Sequence, residues 1–237
     1  MRIAIFTDLH ANLPALKKAL TVFDDFECTK IVHVGDLIGI GPYPKETLAL
    51  ALSTPHMEFV MGNHDYWYAH GLPDPLPDYM HPDEVAHQKW VHAQIGNDYY
   101  EAVQQWPFEM IMDMPNGQSL TFVHYALNDQ ANWFRSFIKN PSGPEIENLF
   151  QETKGDIIFY GHDHRPFDYR GTRRYLNPGS AGCFDQPILR LAIMDCTQDA
   201  VNISKLEIEY DDKGLMEAFD KRNVPAKAFI RKTFITR

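Results

Sequence analysis

Five short apolar runs in this chain each give way to side chains that can bind a metal. RIAIF is followed by Asp8 and His10, and KIVHV by Gly35-Asp36. MEFVM is followed by Gly62-Asn63-His64-Asp65, and LTFV by His124. IIFY is followed by Gly161-His162-Asp163-His164. Apolar runs of this length read as buried strands. In an open α/β sheet, ligands gather outside the carboxyl ends of the strands. Residues scattered from position 8 to position 164 can therefore converge. Taken singly, an aspartate after a strand is a turn former or helix cap, and a histidine is a satisfied core or surface residue. Repetition at five strand ends, three with glycine just before, makes five independent accidents implausible.

The segments around these runs define the organisation. Asn12 can cap a helix with Leu13, Leu16, Leu20 and Phe23 on one face. PKETLALALS suits a second helix, with Pro44 in its first turn and Glu46 near its start. Strands alternating with helices imply a parallel sheet covered on both faces. Residues 66–106 break the rhythm: a proline-rich loop leads to a helix from near Asp83, and a short helix follows Asn97. This stretch reads as a helical cap inserted into one domain spanning 1–237, and 44% hydrophobic content suffices for one such core. FEMIMDM, Asn116-Gly117 and SLTFVHY form a hairpin signal. A helix is expected around 145–152, with strands near Asp156, Arg173, Leu189 and Val201. LRLAIMD and VNISKLEIEY suggest a second sheet, and the modestly basic C-terminal tail reads as a solvated face.

Composition excludes several classes. A net charge of -10 disfavours a broad grip on duplex nucleic acid. No apolar run reaches the ~20 residues that span a bilayer, and MRIAIFTDLH lacks the cleavage site of a signal peptide. Cys28, Cys183 and Cys196 form no disulfide framework, so a cytoplasmic address is expected. Cys183 reads as a small packing residue before a nucleophile. His33, His56, His70, His81, His87 and His92 lack the strand-end placement, with His33 expected near the candidate site.

The ordered series DLH, GDLIG, GNHD, VH and GHDH resembles the calcineurin-like metallophosphoesterase superfamily, and GDLIGIGPYP and NPGSAG are similar to its small bacterial phosphodiesterase branch. The resemblance implies a layered α/β/β/α sandwich, an α/β fold of two mixed sheets flanked by helices. It implies one metal held by Asp8, His10, Asp36 and His164, and a second held by Asp36, Asn63, His124 and His162. Asp36 would bridge them. Manganese or mixed iron and manganese is expected, with zinc, cobalt or nickel compatible with the donor set. His64 would act near the leaving group, as proton donor or as stabiliser of developing charge. Asp65 either orients it or caps the following segment.

The implied activity is a metal-dependent phosphodiesterase that hydrolyses small phosphate esters or nucleotides through a metal-activated hydroxide. The superfamily's protein phosphatases carry G-D-x-x-D-R-G, where this chain has Gly39-Ile40-Gly41. That departure disfavours a phosphoprotein substrate and leaves His64 without an evident orienting partner. A non-catalytic scaffold on the same fold would be expected to erode the ligand set, which here is intact. Candidate substrate contacts are Asn12, Asn177 and Arg165, with Arg173 a second possible phosphate clamp. Asn12 has the alternative of capping its helix, and Asn177 of shaping a turn. Trp67, Tyr68, Tyr79 and Trp90 could form an aromatic lid over a nucleobase, although the core of the cap is their plainer role.

Overall fold

Period-two alternation in the strands sets the layers. The fold is taken from a computed structural model describing residues 1–77 and 80–235; Tyr79 lies outside them. In β1 (Arg2–Phe6), Ile3 and Ile5 face one way and Ala4 and Phe6 the other, as the pleat requires. Ala4 and Phe6 meet Leu16, Ala19 and Phe23 of α1 (Leu13–Asp25) and Leu48 and Ala51 of α2 (Pro44–Ser53). Ile3 and Ile5 join Val32 of β2 (Lys30–His33) in a core shared with the second sheet. There they meet Leu120 and Phe122 of β5 (Ser119–Val123) and Ile157 and Phe159 of β6 (Ile157–Phe159). On the far side of β6, Ile158 packs with Ile146 and Leu149 of α6 (Gly143–Leu149). The result is the expected α/β/β/α sandwich. Each fully buried large apolar side chain contributes about 1.5–3 kcal/mol.

The first sheet has the order β10-β9-β1-β2-β3, and the second β4-β5-β6-β8-β7. Strands β1, β2 and β3 (Met57–Phe59) run parallel. So do β5, β6 and β8 (Arg174–Asn177), while β4 (Glu109–Asp113) and β7 (Phe167–Arg170) pair antiparallel at the edges. One expectation is corrected. β9 (Ile188–Cys196) and β10 (Val201–Glu209) do not start a second sheet; β9 pairs antiparallel with β1 and extends the first. Its nearly continuous burial gives no hint of which neighbour it takes.

Residues 66–106 hold most of α3 (Asn63–His70), α4 (Pro82–Ile95) and α5 (Tyr100–Gln104). α3 begins inside the GNHD motif, one turn before the point where the sequence pattern breaks. Trp67 and Tyr68 are buried, the Tyr68 hydroxyl donates to Gly96 O at 2.9 Å, and Trp90 packs partly buried. These rings fill the interior of the helical segment. The C-terminal tail is not the solvated face expected of it. Leu215 and Phe219 of α7 (Lys213–Lys221) are buried with Val224, with Ile230 of α8 (Lys227–Ile230), and with Ile235 in the π turn Arg231–Ile235. They close over Ile40 and Cys183. Apolar residues at i, i+3 and i+4 (Leu215, Ala218, Phe219) were the signal for this burial. Among the described residues, no helix is long and apolar enough to cross a membrane.

Candidate metal centre

The parallel strands of both sheets end on one side, where their following loops interlock. Thr7 bridges in parallel to Ser180, Asp8 N donates to Gly35 O at 3.0 Å, and His10 N donates to Asp36 O at 3.0 Å. From the second sheet, His162 N donates to Asp8 Oδ2 at 3.0 Å and Ser180 Oγ to Asp8 O at 2.7 Å. The tight turns require left-handed backbone at Asp8, His10, Asp36, His162 and His164, with φ from 50° to 69°. For residues bearing a Cβ this is costly and clusters at functional sites. Glycine is needed at 62, because a Cβ there would overlap the Asp36 carboxylate.

All eight residues named as candidate ligands or catalytic group come together. Nε2 of His10 lies 2.9 Å from Nε2 of His164 and 3.8 Å from Asp8 Oδ1. Asp36 Oδ2 lies 3.7 Å from Nε2 of His10 and 3.3 Å from Nε2 of His124. His162 Nδ1 is 3.0 Å from the Asn63 amide oxygen, and its ring lies 5.2 Å from that of His124. His64 N donates to Asp36 Oδ1 at 2.9 Å, and its ring stands edge-on to His10 at 5.0 Å. One Asp36 oxygen is thus held by the backbone, while the other faces a histidine from each expected ligand set.

These residues fit divalent ions. Among the described residues Nε2 of His124 is buried without a hydrogen-bond partner, while its Nδ1 donates to Val34 O at 2.9 Å. A ring fixed from behind through Nδ1, with Nε2 aimed into the cluster, is the arrangement of a histidine ligand. Burial depresses the other imidazoles: His10 well below its usual range, His162 to about 3 and His164 to about 4. They are neutral at pH 7, the form that binds metal. Burial also depresses His124, but the Asp36 carboxylate outweighs it and lifts the ring to about 9, so a bound cation would take the place of the proton on Nε2. Burial disfavours the Asp36 carboxylate, yet the facing His124 and His64 outweigh it and hold the carboxyl well below the ordinary value. Burial pushes Asp8 up to about 7, against the pull of His124. Buried carboxylates, imidazoles and an amide oxygen gathered in one cluster fit a cation.

Other candidates have different employment. Asn12 caps α1 by accepting from Ala15 N at 3.0 Å, and its amide donates to Gly182 O and Tyr210 Oη at 2.7 and 2.8 Å. Asn177 is buried, donating to Gly161 O at 3.1 Å and accepting from Gly179 N at 2.8 Å, so it shapes the loop that carries His162 and His164. Arg165 is exposed. Arg173 donates to the Phe150 and Thr153 carbonyls and not to an open site. His33 is buried behind the centre, edge-on to Phe6, while His70, His81 and His87 stack on Tyr66, Phe229 and Trp90.

Asp65 does not orient His64. Its carboxylate accepts from Gly62 N, Asp36 N, Leu37 N and Ile38 N at 2.8–3.2 Å, capping α3 and framing the Asp36 turn together. One residue beside the site was not singled out in the sequence. Gln88 of α4 places its amide nitrogen against Nδ1 of His64. Cys183 packs as expected, but its sulfur also lies within 4.8 Å of His10 and His164. Gln88 sits mid-helix without a motif, so only the missing partner of His64 signalled it.

Stacked mixed sheets with an Asp/His/Asn cluster at the strand ends define a metallophosphoesterase-type protein. The chain belongs to the calcineurin-like phosphoesterase superfamily, whose domain model matches residues 1–199. An uncharacterized protein of Methanocaldococcus jannaschii is 28% identical over 246 residues, covering 94% of this chain and 93% of its own length. A hypothetical protein of Pyrococcus horikoshii shares the fold with a TM-score of 0.81 at 17% identity, over 100% of this chain and 98% of that one. A metallophosphoesterase from Sphaerobacter thermophilus does so with a TM-score of 0.75 at 23% identity, over 97% and 96%.

Proposed function

We propose that the protein is a binuclear-metal-dependent phosphodiesterase acting on small phosphate esters or nucleotides. The observation that carries this reading is Asp36 Oδ2 set between His10 and His124, one from each ligand set. Asp8, His10, Asp36 and His164 would hold one ion, and Asp36, Asn63, His124 and His162 the other. Manganese, or iron with manganese, is the expected occupant. Two such ions, when bound, neutralise phosphoryl oxygens and supply an activated water at neutral pH.

The chain's own residues do the rest. Asp8 and Asp36 cancel about two of the four positive charges, and the neutral His and Asn donors cancel none. The centre therefore attracts phosphate on a chain of net charge -10. The Val34 carbonyl keeps the His124 ring proton on Nδ1 and its lone pair toward the site. His64, anchored through its backbone N–H to Asp36 Oδ1, presents ring Nε2 to the departing oxygen and stabilises the charge that develops as the P–O bond breaks. Residues 66–106, as a cap within a single domain, would narrow the pocket toward small substrates. Gly39 in place of an acidic residue disfavours a phosphoprotein substrate, and the complete ligand set disfavours a scaffold.

Manganese should stimulate hydrolysis of bis(p-nitrophenyl) phosphate well above that of a phosphopeptide. His64→Ala should retain metal, by elemental analysis, and lose about 10²–10⁴-fold in turnover. Full metal content with wild-type turnover would reject the role of His64. A metal-loaded protein inactive on every mono- and diester tried would return the scaffold reading.

A further inference from the structure

We infer that Gln88 is the positioning residue of His64, fixing which ring nitrogen carries the proton. The inference rests on the leaving-group role proposed for His64. The ring of His64 is held on several sides by shape alone. His10 stands edge-on at 5.0 Å and Trp67 at 4.9 Å. Its main chain is tied to Asp36 Oδ1. None of these contacts chooses between the two ring nitrogens. Among the described residues only the Gln88 amide hydrogen-bonds the ring, at Nδ1, and both side chains are at least nine-tenths buried.

Chemistry decides what that contact does. The Gln88 amide nitrogen is a donor with no lone pair to offer. Facing Nδ1, it occupies the lone pair there, and the ring proton is left on Nε2. Among the described residues Nε2 makes no hydrogen bond, and a His64 ring nitrogen lies within 4.8 Å of His10 and Asp36. His64 thus points an N–H, not a lone pair, into the cluster, as a group that stabilises a departing oxygen must. A carboxylate at Nδ1 would select the opposite pattern, because it only accepts.

Position 39 explains why the partner comes from a distant helix. Gly39 has φ of +86°, and a Cβ there would overlap Nδ1 of His64. The loop that could have supplied a neighbouring acid is pressed against the ring with no room for a side chain. Gln88 reaches the same nitrogen from α4, so this helix completes the site as well as covering it.

The experiment uses the full chain loaded with zinc, a diamagnetic ion suited to NMR. ¹⁵N shifts of the His64 ring should show the Nε2–H tautomer in wild type and a mixture in Gln88→Met, which keeps the volume. Q88M should lower kcat about 10- to 100-fold on a diester with an alkoxide leaving group, with KM within about twofold, and the loss should shrink with a dinitrophenolate leaving group. An Nδ1–H tautomer in wild type overturns the inference without recourse to any variant. So does Q88M at wild-type rate when H64A is slow, which leaves the role of His64 intact. H64A at wild-type rate overturns the leaving-group reading and this inference together.

Discussion

Removing the Asp65 carboxylate should cost both the fold and the metal. Asp65 is fully buried and accepts from four backbone N–H groups, at Asp36, Leu37, Ile38 and Gly62. Two bonds go to each oxygen: Leu37 and Ile38 to Oδ1, Asp36 and Gly62 to Oδ2. Each orphaned buried donor costs about 1–3 kcal/mol. Water entering the cavity left by Asp65→Ala recovers part of that, so the low end applies and the loss should reach about 4 kcal/mol. D65N keeps one acceptor oxygen and turns an NH₂ toward the other pair of donors. Two of the four bonds survive, and the loss should be near half, about 2 kcal/mol. Urea unfolding with chelator present reads these values, and calorimetric manganese titration of whichever variant folds reads the consequence for Asp36. A D65A variant within 1 kcal/mol of wild type would show that the four contacts are incidental. D65N binding manganese as tightly as wild type would show that the turn holds its shape without them.

Two further outcomes follow from burial and linkage. Chelating the bound ions should lower the unfolding free energy by about 2.7 kcal/mol per ion when free metal stands at 100 times its Kd; a melting temperature indifferent to chelator would contradict the centre. His33 is buried, and burial holds its ring down to about 3. Between the unfolded pKa of ~6.5 and that value, the unfolded chain binds a proton at this ring that the folded chain refuses, so His33 alone lowers wild-type stability by up to about 1.4 kcal/mol for each unit the pH falls. His33→Phe lacks this contribution, and measured with chelator the wild type should lose about 1.6 kcal/mol relative to H33F between pH 6.5 and 5. Parallel curves would refute it.

Much of the centre was legible because it is written at strand ends. Asp8, His10, Asp36, Asn63, His64, His124, His162 and His164 each follow an apolar run, and a strand's direction fixes where its end goes. What was hidden depends on contacts between elements. β9 carries apolar residues at almost every position, which says it is buried but not beside which strand. Its pairing with β1 is set by packing. Residues 63–65 read as a loop because their polarity masks a helix start, although Asp65 at the third helical position is half of a capping box. Gln88 has no sequence signature, since a glutamine in a helix usually faces water.

The same interlocking accounts for how a chain can hold this geometry before any ion arrives. Five of the proposed ligands sit at left-handed φ, and each such residue costs roughly 1–2 kcal/mol. Buried hydrogen bonds between loops offset that cost: Asp8 N to Gly35 O, His10 N to Asp36 O, Ala11 N to Leu37 O, Ala181 N to Thr7 O, and the Ser180 hydroxyl to Asp8 O, all at 2.7–3.0 Å. Most of these join a loop of one strand to a loop of another, so no turn can relax alone. A backbone held from both sides keeps two carboxylates and four histidines at mutual distances they would not choose in water. A metal bound there would gain affinity from repulsion already overcome during folding. A loop loosened at one point, as in D65N, should therefore lose metal affinity out of proportion to its loss of stability.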